Sequence, residues 1–277
     1  MCTSAFLFSG MQIAIRLTGD TIPLMEQVFF RNIVSLILSF YIIKKNNGSF
    51  FGEKKHQPML FCRSIAGILG LVCMFYAAAN AHQADVTIMT KLSPFMITLW
   101  AFLFLKEKIA KIQLPGLILA FIGTLIVANP VFNSNLFPLL IAILCAVFSS
   151  VSYTLLAYFK NKLNPLTVVM HFSAVCVAIS LPFMAFHFVM PNMFEFIILT
   201  SLGILGGFGQ ITLTYAYREA PASEVSIYNY SGILFSVILA FIFLGESVRL
   251  TSAIGGTLVV AASWLVYRFT NSGSEEI

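Results

Sequence analysis

The chain has 277 residues, of which 59% are apolar and only 10% are charged. Soluble domains carry about 25% charged residues, so a water-soluble domain is excluded and most of the chain is expected to lie in lipid. The net charge of +5 is scattered over short connectors, which argues against a nucleic-acid partner. The cysteines form no CxxC or His/Cys cluster and are expected to be buried free thiols: Cys2, Cys62, Cys73, Cys145 and Cys176.

Ten apolar runs are suited to crossing a hydrocarbon layer of about 30 Å as helices, the form in which lipid-embedded backbone satisfies its own amides. In chain order these predicted spans are Cys2–Leu17, Met25–Ile43, Leu60–Ala79, Val86–Leu105, Leu114–Ala128, Pro138–Phe159, Leu166–Phe188, Phe194–Tyr217, Val225–Leu244 and Leu250–Phe269. Turn residues such as Gly19-Asp20 and Asn164-Pro165 separate them. No cleavable signal peptide is expected, and the sequence leaves open whether the N-terminus is complete.

The positive charges of the connectors predict the orientation. Connectors after even-numbered spans, with the C-terminal end, hold twelve Lys or Arg residues: Lys44, Lys45, Lys54, Lys55, Arg63, Lys106, Lys108, Lys111, Lys160, Lys162, Arg218 and Arg268. The remaining connectors hold two, Arg16 and Arg249. Since cytoplasmic loops are enriched in Lys and Arg, both termini are predicted to be cytoplasmic. The short cytoplasmic loops favour a prokaryotic plasma membrane.

One stretch of the sequence occurs twice. A shift of 139 positions places residues 76–107 on residues 215–246 with ten identities, among them Tyr76 on Tyr215 and Glu107 on Glu246. Such a repeat predicts two copies of one unit, residues 1–129 and 130–277. Each copy has five spans, an odd number, so the second crosses the membrane in the opposite sense. The predicted fold is therefore an all-α integral membrane protein of ten transmembrane helices in two inverted five-helix repeats.

The repeated residues resemble the EamA-type branch of the drug/metabolite transporter superfamily. The resemblance rests on Tyr-Ala at position 76 and on a small residue plus an acid before a span, at Ala84-Asp85 and Ser223-Glu224. It also rests on the short Phe-Leu-x-Glu at 104–107 and 243–246, each followed by a Gly nine residues later, and on Phe-Phe-Arg at 29–31. It implies ten helices, cytoplasmic termini and a central cavity lined mainly by the first, third, fourth, sixth, eighth and ninth spans. Family members move amino acids, metabolites, vitamins, nucleotide sugars or drugs, so the substrate stays open.

Two cations inside spans are the main candidates for substrate binding. Arg31 and Lys91 both lie about two turns from the external end of a span, where a charge is costly and usually functional. Either could bind a carboxylate or phosphate. The alternative is a structural ion pair with an acid of the same helix, Glu26–Arg31 or Asp85–Lys91. Lys91 also departs from the small or polar residue that the resemblance favours, and its repeat partner is Tyr230.

Further candidates come from polar stripes and aromatic residues. The fourth span has a stripe at helical spacing that includes Thr87 and Thr90, and the ninth span has a matching stripe with Asn229 and Tyr230. Buried amides and cavity-lining rings add Gln12, Gln210, Tyr76 and Tyr153. Packing between helices is the alternative for each. His171 is a candidate for a proton-linked role, with a packing histidine as the alternative.

These observations favour a secondary transporter of a small, anionic metabolite that works by alternating access. With no ATP site and no carboxylate at the centre of a span, a facilitator or exchanger is favoured over strict proton antiport. No cofactor or metal is expected, and the expected partners are the solute and the lipid bilayer, with a homodimer left open. Rival hypotheses are an intramembrane enzyme or lipid-handling protein, a non-transporting scaffold and, within transport, a nucleotide-sugar or drug carrier. No catalytic constellation supports the enzyme.

Overall fold

A computed structural model describes residues 1–18, 21–130, 135–247 and 250–272, so the predicted Gly19-Asp20 turn and Arg249 lie outside the described residues. Within those ranges the chain contains helices and connectors and no strand. The α-helices are α1 Cys2–Thr18, α2 Leu24–Lys45, α3 Gln57–Asn80, α4 Gln83–Thr90, α5 Ser93–Trp100, α6 Gln113–Ala128, α7 Leu136–Tyr158, α8 Pro165–His187, α9 Met193–Glu219, α10 Ala222–Ile227, α11 Ser231–Leu244 and α12 Leu250–Ser272.

Eight helical segments of the described chain are long and apolar enough to cross a membrane. They are Leu24–Lys45, Lys54–Met74, Ala84–Leu105, Leu136–Tyr158, Pro165–His187, Met193–Glu219, Ala222–Leu244 and Leu250–Thr270. Two shorter apolar helices, Cys2–Leu17 and Gln113–Ala128, coincide with the predicted first and fifth spans. The multi-pass, all-helical class is therefore confirmed.

The predicted fourth and ninth spans are each interrupted rather than continuous. In the fourth, α4 ends at Thr90 and α5 begins at Ser93, because Pro94 has no N–H to donate to the preceding turn. In the ninth, a 3₁₀ turn over Tyr228–Tyr230 separates α10 from α11. There the Ser231 hydroxyl donates to the carbonyl of Tyr228 at 2.6 Å and competes with regular helical bonding.

Helices α2 and α8 pack against each other in opposite directions. Ile43, near the end of α2, packs on Leu166 at the start of α8. Val28, near the start of α2, shares a cluster with Cys176, halfway along α8. Helix α9, in contrast, lies parallel to α2, since the Phe30 ring meets Phe196 early in α9 while later residues of α2 meet later residues of α9.

Two further pairs, α1 with α9 and α3 with α7, are also antiparallel. The Ser4 hydroxyl of α1 donates to the carbonyl of Gly209 at 2.8 Å, whereas Ala14 packs on Leu202. The Ser152 hydroxyl of α7 donates to the carbonyl of Arg63 at 3.2 Å, near the start of α3. At the opposite end of this pair, the rings of Tyr76 and Phe137 meet edge to face at 6.0 Å.

Glycines bring α6 and α12 into backbone contact. A Cβ added at Gly123 would lie 2.6 Å from the carbonyl oxygen of Gly255, and one added at Gly255 would overlap the carbonyl oxygen of Gly123. Gly116, earlier in α6, faces Val266, later in α12, so this pair is antiparallel. Small residues at a helix interface permit this close approach, which supplies packing where lipid supplies little hydrophobic drive.

We expect Gly255→Ala to destabilise the protein by about 1–3 kcal/mol, because the obstructing atoms belong to the backbone of α6 and cannot rotate away. The midpoint of thermal unfolding of the purified protein measures this. Gly10→Ala is the matched control, since its Cβ would meet only a side-chain carbon of Leu205 at 3.5 Å. Equal midpoints for the two variants would contradict the packing of α6 on α12.

Candidate functional site

The interruptions of the fourth and ninth spans meet at residues that are equivalent in the sequence repeat. At the first interruption, the N–H of Phe95 bonds to the carbonyl of Leu92 at 3.1 Å, so the carbonyl of Lys91 loses its usual helical donor. The hydroxyl of Tyr230 donates to that carbonyl at 2.9 Å. Tyr230 thus supplies the donor that the carbonyl of Lys91, its equivalent in the sequence repeat, has lost. The side chain of Tyr230 is fully buried.

A second hydrogen bond runs the other way between the same two interruptions. The Nζ atom of Lys91 donates to the carbonyl oxygen of Asn229 at 2.9 Å, and it lies 5.9 Å from the centre of the Tyr230 ring. An ammonium group has three donors, so this bond leaves two for another acceptor. The contact places Lys91 between the predicted fourth and ninth spans, and the residue is partly exposed.

Helix α1 completes this meeting point with hydroxyl groups. The Ser9 hydroxyl donates to the carbonyl of Gly232 at 2.9 Å and lies 3.2 Å from the hydroxyl of Ser236. A Cβ added at Gly232 would be 3.9 Å from the Nζ atom of Lys91. The ammonium group, two serine hydroxyls and the 3₁₀ backbone of 228–230 therefore form one polar region, which we call the crossing site.

The threonines of the predicted polar stripe bond mainly to their own helix. Thr90 Oγ1 donates to the carbonyl of Thr87 at 2.9 Å, and Thr98 Oγ1 donates to the carbonyl of Pro94 at 3.0 Å. Thr87 and Thr90 are partly buried beside Lys91. Their hydroxyl oxygens retain acceptor capacity, so a substrate role for these two residues remains a prediction.

A second region lies between α2 and α9. Arg31 of α2 packs against Gly206 of α9, one turn before Gln210, and Tyr153 of α7 is partly buried. Gln210 of α9 is buried, and its Nε2 atom has no hydrogen-bond partner among the described residues. The ring of Tyr153 stacks on that of Tyr217 at 5.8 Å. A solute role for these residues also remains a prediction.

Three predicted site residues lie apart from both regions. Gln12 is exposed on α1, and Tyr76 is 44% exposed beside Phe137. His171 shares a hydrogen bond of 2.9 Å between its Nδ1 atom and the Ser64 hydroxyl. That bond gives the imidazole a packing partner on α3, and the proton-linked role stays a hypothesis.

Arg63 lies inside α3, within the predicted third span Leu60–Ala79, and is 1% exposed. Its charge was counted with those that flank the second connector, but it does not lie in a loop. The signal was present in the sequence, because apolar residues at 60–62 and 65–66 flank it on both sides. Positive charges at the ends of spans are so common that only the packing of neighbouring helices distinguishes an interior arginine from a loop arginine.

Glu107 joins the end of the fourth span to the start of the ninth. Its carboxylate accepts from the backbone N–H groups of Ala222 at 2.9 Å and Ser223 at 3.1 Å, and from the Ser223 hydroxyl at 3.0 Å. A carboxylate at a helix N-terminus satisfies unpaired amides and favours the helix dipole. Its repeat partner Glu246 instead pairs with Arg16 of α1.

Among the described residues, no group of three or more His, Cys, Asp or Glu side chains is placed to hold a metal ion.

Comparison with known proteins identifies the family. The EamA-like transporter family matches the chain twice, at residues 1–129 and 136–268. The chain belongs to this family. A solved crystal structure superposes with a TM-score of 0.85 at 18% identity, covering 98% of this chain and 96% of the other, which shows a shared fold.

Several curated relatives of this EamA-like chain are named as transporters or solute carriers. The pseudopaline exporter CntI of Pseudomonas aeruginosa is 29% identical over 94% of this chain and 91% of its own length. An uncharacterized transporter of Helicobacter pylori is 26% identical over 94% of this chain and 90% of its own. Mouse solute carrier family 35 member G1 is 24% identical, with 94% and 74% covered.

We expect Tyr230→Phe to destabilise the protein by about 1–3 kcal/mol, since it leaves the buried carbonyl of Lys91 without a donor. Unfolding midpoints in detergent measure the loss. Tyr228→Phe is the control two residues away, because the Tyr228 hydroxyl is buried without a partner among the described residues and its removal costs nothing. An equal or larger loss at position 228 would contradict the bridging role of the Tyr230 hydroxyl.

Proposed function

We propose that this EamA-like protein is a secondary transporter that moves a small anionic metabolite by alternating access between two inverted halves. The observation that carries the proposal is the crossing site. Two interrupted spans from equivalent positions of the repeat meet there and are joined by one hydrogen bond in each direction. Interrupted helices at a repeat interface are where secondary transporters bind solute, because unwound backbone is tolerated only inside protein or beside water.

The packing directions support ten spans in two inverted halves, 1–129 and 130–277. Equivalent helices α2 and α8 pack antiparallel, as do α6 and α12. Helix α3 is parallel to α8, and α9 is parallel to α2. Since α2 and α8 are antiparallel, α3 and α9 also have opposite directions. The two matches to the family, at 1–129 and 136–268, support the same division. Both termini would then lie in the cytoplasm of a prokaryotic cell.

The unequal surroundings of Glu107 and Glu246 support alternating access. On the proposed cytoplasmic side, Glu107 ties the fourth span to the ninth. On the external side, Glu246 pairs with Arg16 of α1 instead of the start of the fourth span. If the two halves exchanged these contacts, Glu246 would bond to the start of the fourth span and Glu107 would release the ninth. The protein would then be closed toward the external side and open toward the cytoplasm. We therefore infer that this conformation is closed toward the cytoplasm.

An anionic solute is favoured by the charges that the protein places within its helices. Lys91 has donors to spare at the crossing site, and a cation at this depth is costly unless a partner offsets it. The name of the Pseudomonas relative, a pseudopaline exporter, supports a small-molecule cargo. Without a nucleotide-binding motif, the solute gradient or an exchanged solute would drive the movement.

The decisive experiment is a metabolite screen followed by transport. Purified protein is tested for thermal stabilisation by a metabolite library, and each stabilising compound is then measured for flux in proteoliposomes with mass analysis of the recovered solute. Movement of an unchanged anion is the expected result. Chemical conversion of the compound would support the enzyme alternative instead, and absence of flux for every stabilising compound would contradict transport.

We expect Lys91→Ala to reduce that flux about 10–100-fold, the loss typical of one charge-assisted hydrogen bond. The unfolding midpoint should change little, because the removed side chain makes a single bond to Asn229. Lys45→Ala, at the exposed end of α2, is the control and should transport normally. Normal flux in Lys91→Ala would remove this residue from the site.

We expect Glu107→Ala to shift the protein toward a cytoplasm-open conformation, since it deletes the bonds that hold α10. Ser226→Cys, buried one turn into α10, serves as the reporter. Cys2, Cys62 and Cys73 are replaced by Ser in this background because the expectation that all five thiols are buried was wrong: the first two are exposed and the third is partly exposed. A membrane-impermeant maleimide applied from the cytoplasmic side should label it several-fold faster. Unchanged labelling, or the same increase with Glu246→Ala, would contradict the asymmetry.

A further inference from the structure

Arg63 is held inside the bundle by an aromatic ring rather than by an acid. Its guanidinium carbon lies 4.0 Å from the centre of the Phe172 ring of α8, a cation–π contact. Gly67, one turn along α3, makes room for that ring, because a Cβ there would lie 2.7 Å from Phe172 Cε2. The guanidinium is therefore positioned by packing, while its hydrogen-bond donors are not consumed.

Arg31 is held in a similar way from the opposite end of the bundle. A Cβ added at Gly206 of α9 would lie 2.9 Å from Arg31 Cγ and 3.3 Å from Arg31 Nε, so any side chain there would displace the arginine. The Phe8 ring of α1 lies 5.8 Å from the guanidinium carbon. Arg31 is 9% exposed, so its charge is placed inside the protein and not toward lipid.

The two arginines converge on one region. Phe172, which lies over Arg63, shares one buried cluster with Val28 of α2, Ile68 of α3 and Cys176 of α8. Arg31 follows Val28 by three residues and so lies on the same face of α2. The Ser152 hydroxyl of α7 donates to the carbonyl of Arg63 at 3.2 Å. The region is therefore bounded by α2, α3, α7 and α8. We call Arg31 and Arg63 the arginine pair.

Neither member of the arginine pair has an acidic partner among the described residues. The ion pairs there join Arg16 to Glu246, Lys55 to Glu53 and Arg218 to Glu219. Glu26, the partner considered for Arg31, accepts from the backbone N–H of Val189 at 3.2 Å instead. The Nε and Nη1 atoms of both arginines are buried without a hydrogen-bond partner in this part of the chain.

Two buried guanidinium groups of like charge are costly, because each loses its hydration and repels the other. A bound dianion would offset both charges and accept from the open donors. The guanidinium fork matches the oxygen spacing of carboxylate and phosphate groups, which suits bidentate binding. Lys91 differs from the pair, since its ammonium group already donates to a backbone carbonyl.

We propose that Arg31 and Arg63 form a binding site for a dianionic group, a dicarboxylate or a phosphate, on the transported solute. This assignment rests on the proposed transport function and makes it specific, since it separates the charge-binding site from the crossing site at Lys91. Arg31 would hold the anion from the external half of the bundle and Arg63 from the cytoplasmic half. A solute passing between the two openings would then meet both arginines.

Thermal unfolding of the whole protein in phospholipid-free detergent tests the site. The probes are succinate and inorganic phosphate at pH 7.5, with acetate and sodium chloride at matched ionic strength as controls. We expect at least one dianion to raise the midpoint by about 5–10 °C when present at roughly 100 times its Kd, with little effect of acetate or chloride. A response to succinate alone would assign a dicarboxylate, and a response to phosphate alone a phosphate group. No shift beyond chloride with either dianion would overturn the proposal.

Variants separate a binding role from a structural role. Arg63→Met keeps the side-chain volume and removes an unpaired buried charge, so the ligand-free midpoint should stay equal or rise while the dianion shift disappears. Arg63→Lys keeps the positive charge but lacks the guanidinium group, so it should reduce the dianion-induced rise in the unfolding midpoint. This variant tests the site if Arg63→Met fails to fold. Arg218→Gln, whose side chain is 42% exposed, should retain the full shift. A full dianion shift in Arg63→Met would overturn the proposal.

Flux in proteoliposomes distinguishes failure of this site from failure of the proposed function. If the parent protein transports an anion, and Arg31→Met and Arg63→Met bind that anion with unchanged affinity, the arginine pair is not the binding site. The proposed transport function would still hold. A dianion shift without flux of any solute would instead contradict transport and retain the binding site.

Discussion

Lipid cannot hydrogen-bond to a backbone carbonyl or an ammonium group, and this constraint shapes the centre of the protein. Pro94 interrupts the fourth span, and the carbonyl of Lys91 is left without its helical donor because the N–H of Phe95 bonds to Leu92. A 3₁₀ turn interrupts the ninth span at Tyr228–Tyr230. Each interruption alone would be costly at membrane depth. The Tyr230 hydroxyl satisfies the carbonyl of Lys91, and the Lys91 ammonium group donates to the carbonyl of Asn229, so the two interruptions lie against each other inside the protein.

Close packing supports this centre and determines where the remaining cations lie. Glycines let α6 and α12 touch through their backbones, and other glycines admit the Arg31 side chain and the ring under Arg63. The arginines are consequently buried among aromatic rings and without acids among the described residues. The proposed anionic solute would offset these charges.

Symmetry in the sequence does not require symmetry in one conformation. Glu107 and Glu246 close equivalent segments of the repeat, yet one caps the start of α10 and the other pairs with an arginine of α1. Two nearly equivalent packings of the same halves would have similar free energies, and a solute could shift their populations. The difference between these glutamates is where such a shift would be visible.

Hydrophobic run length, the repeat and the residues of the EamA resemblance determined the helical membrane class and the family, because these depend on local composition and spacing. The sequence also singled out Lys91, since a lysine in an apolar run is conspicuous on its own. Tertiary structure alone decided that Lys91 bonds to Asn229, that Tyr230 bonds back, and that Arg63 is interior. These facts depend on which helices become neighbours. Every residue has a backbone carbonyl, so the sequence does not indicate which carbonyls accept such bonds.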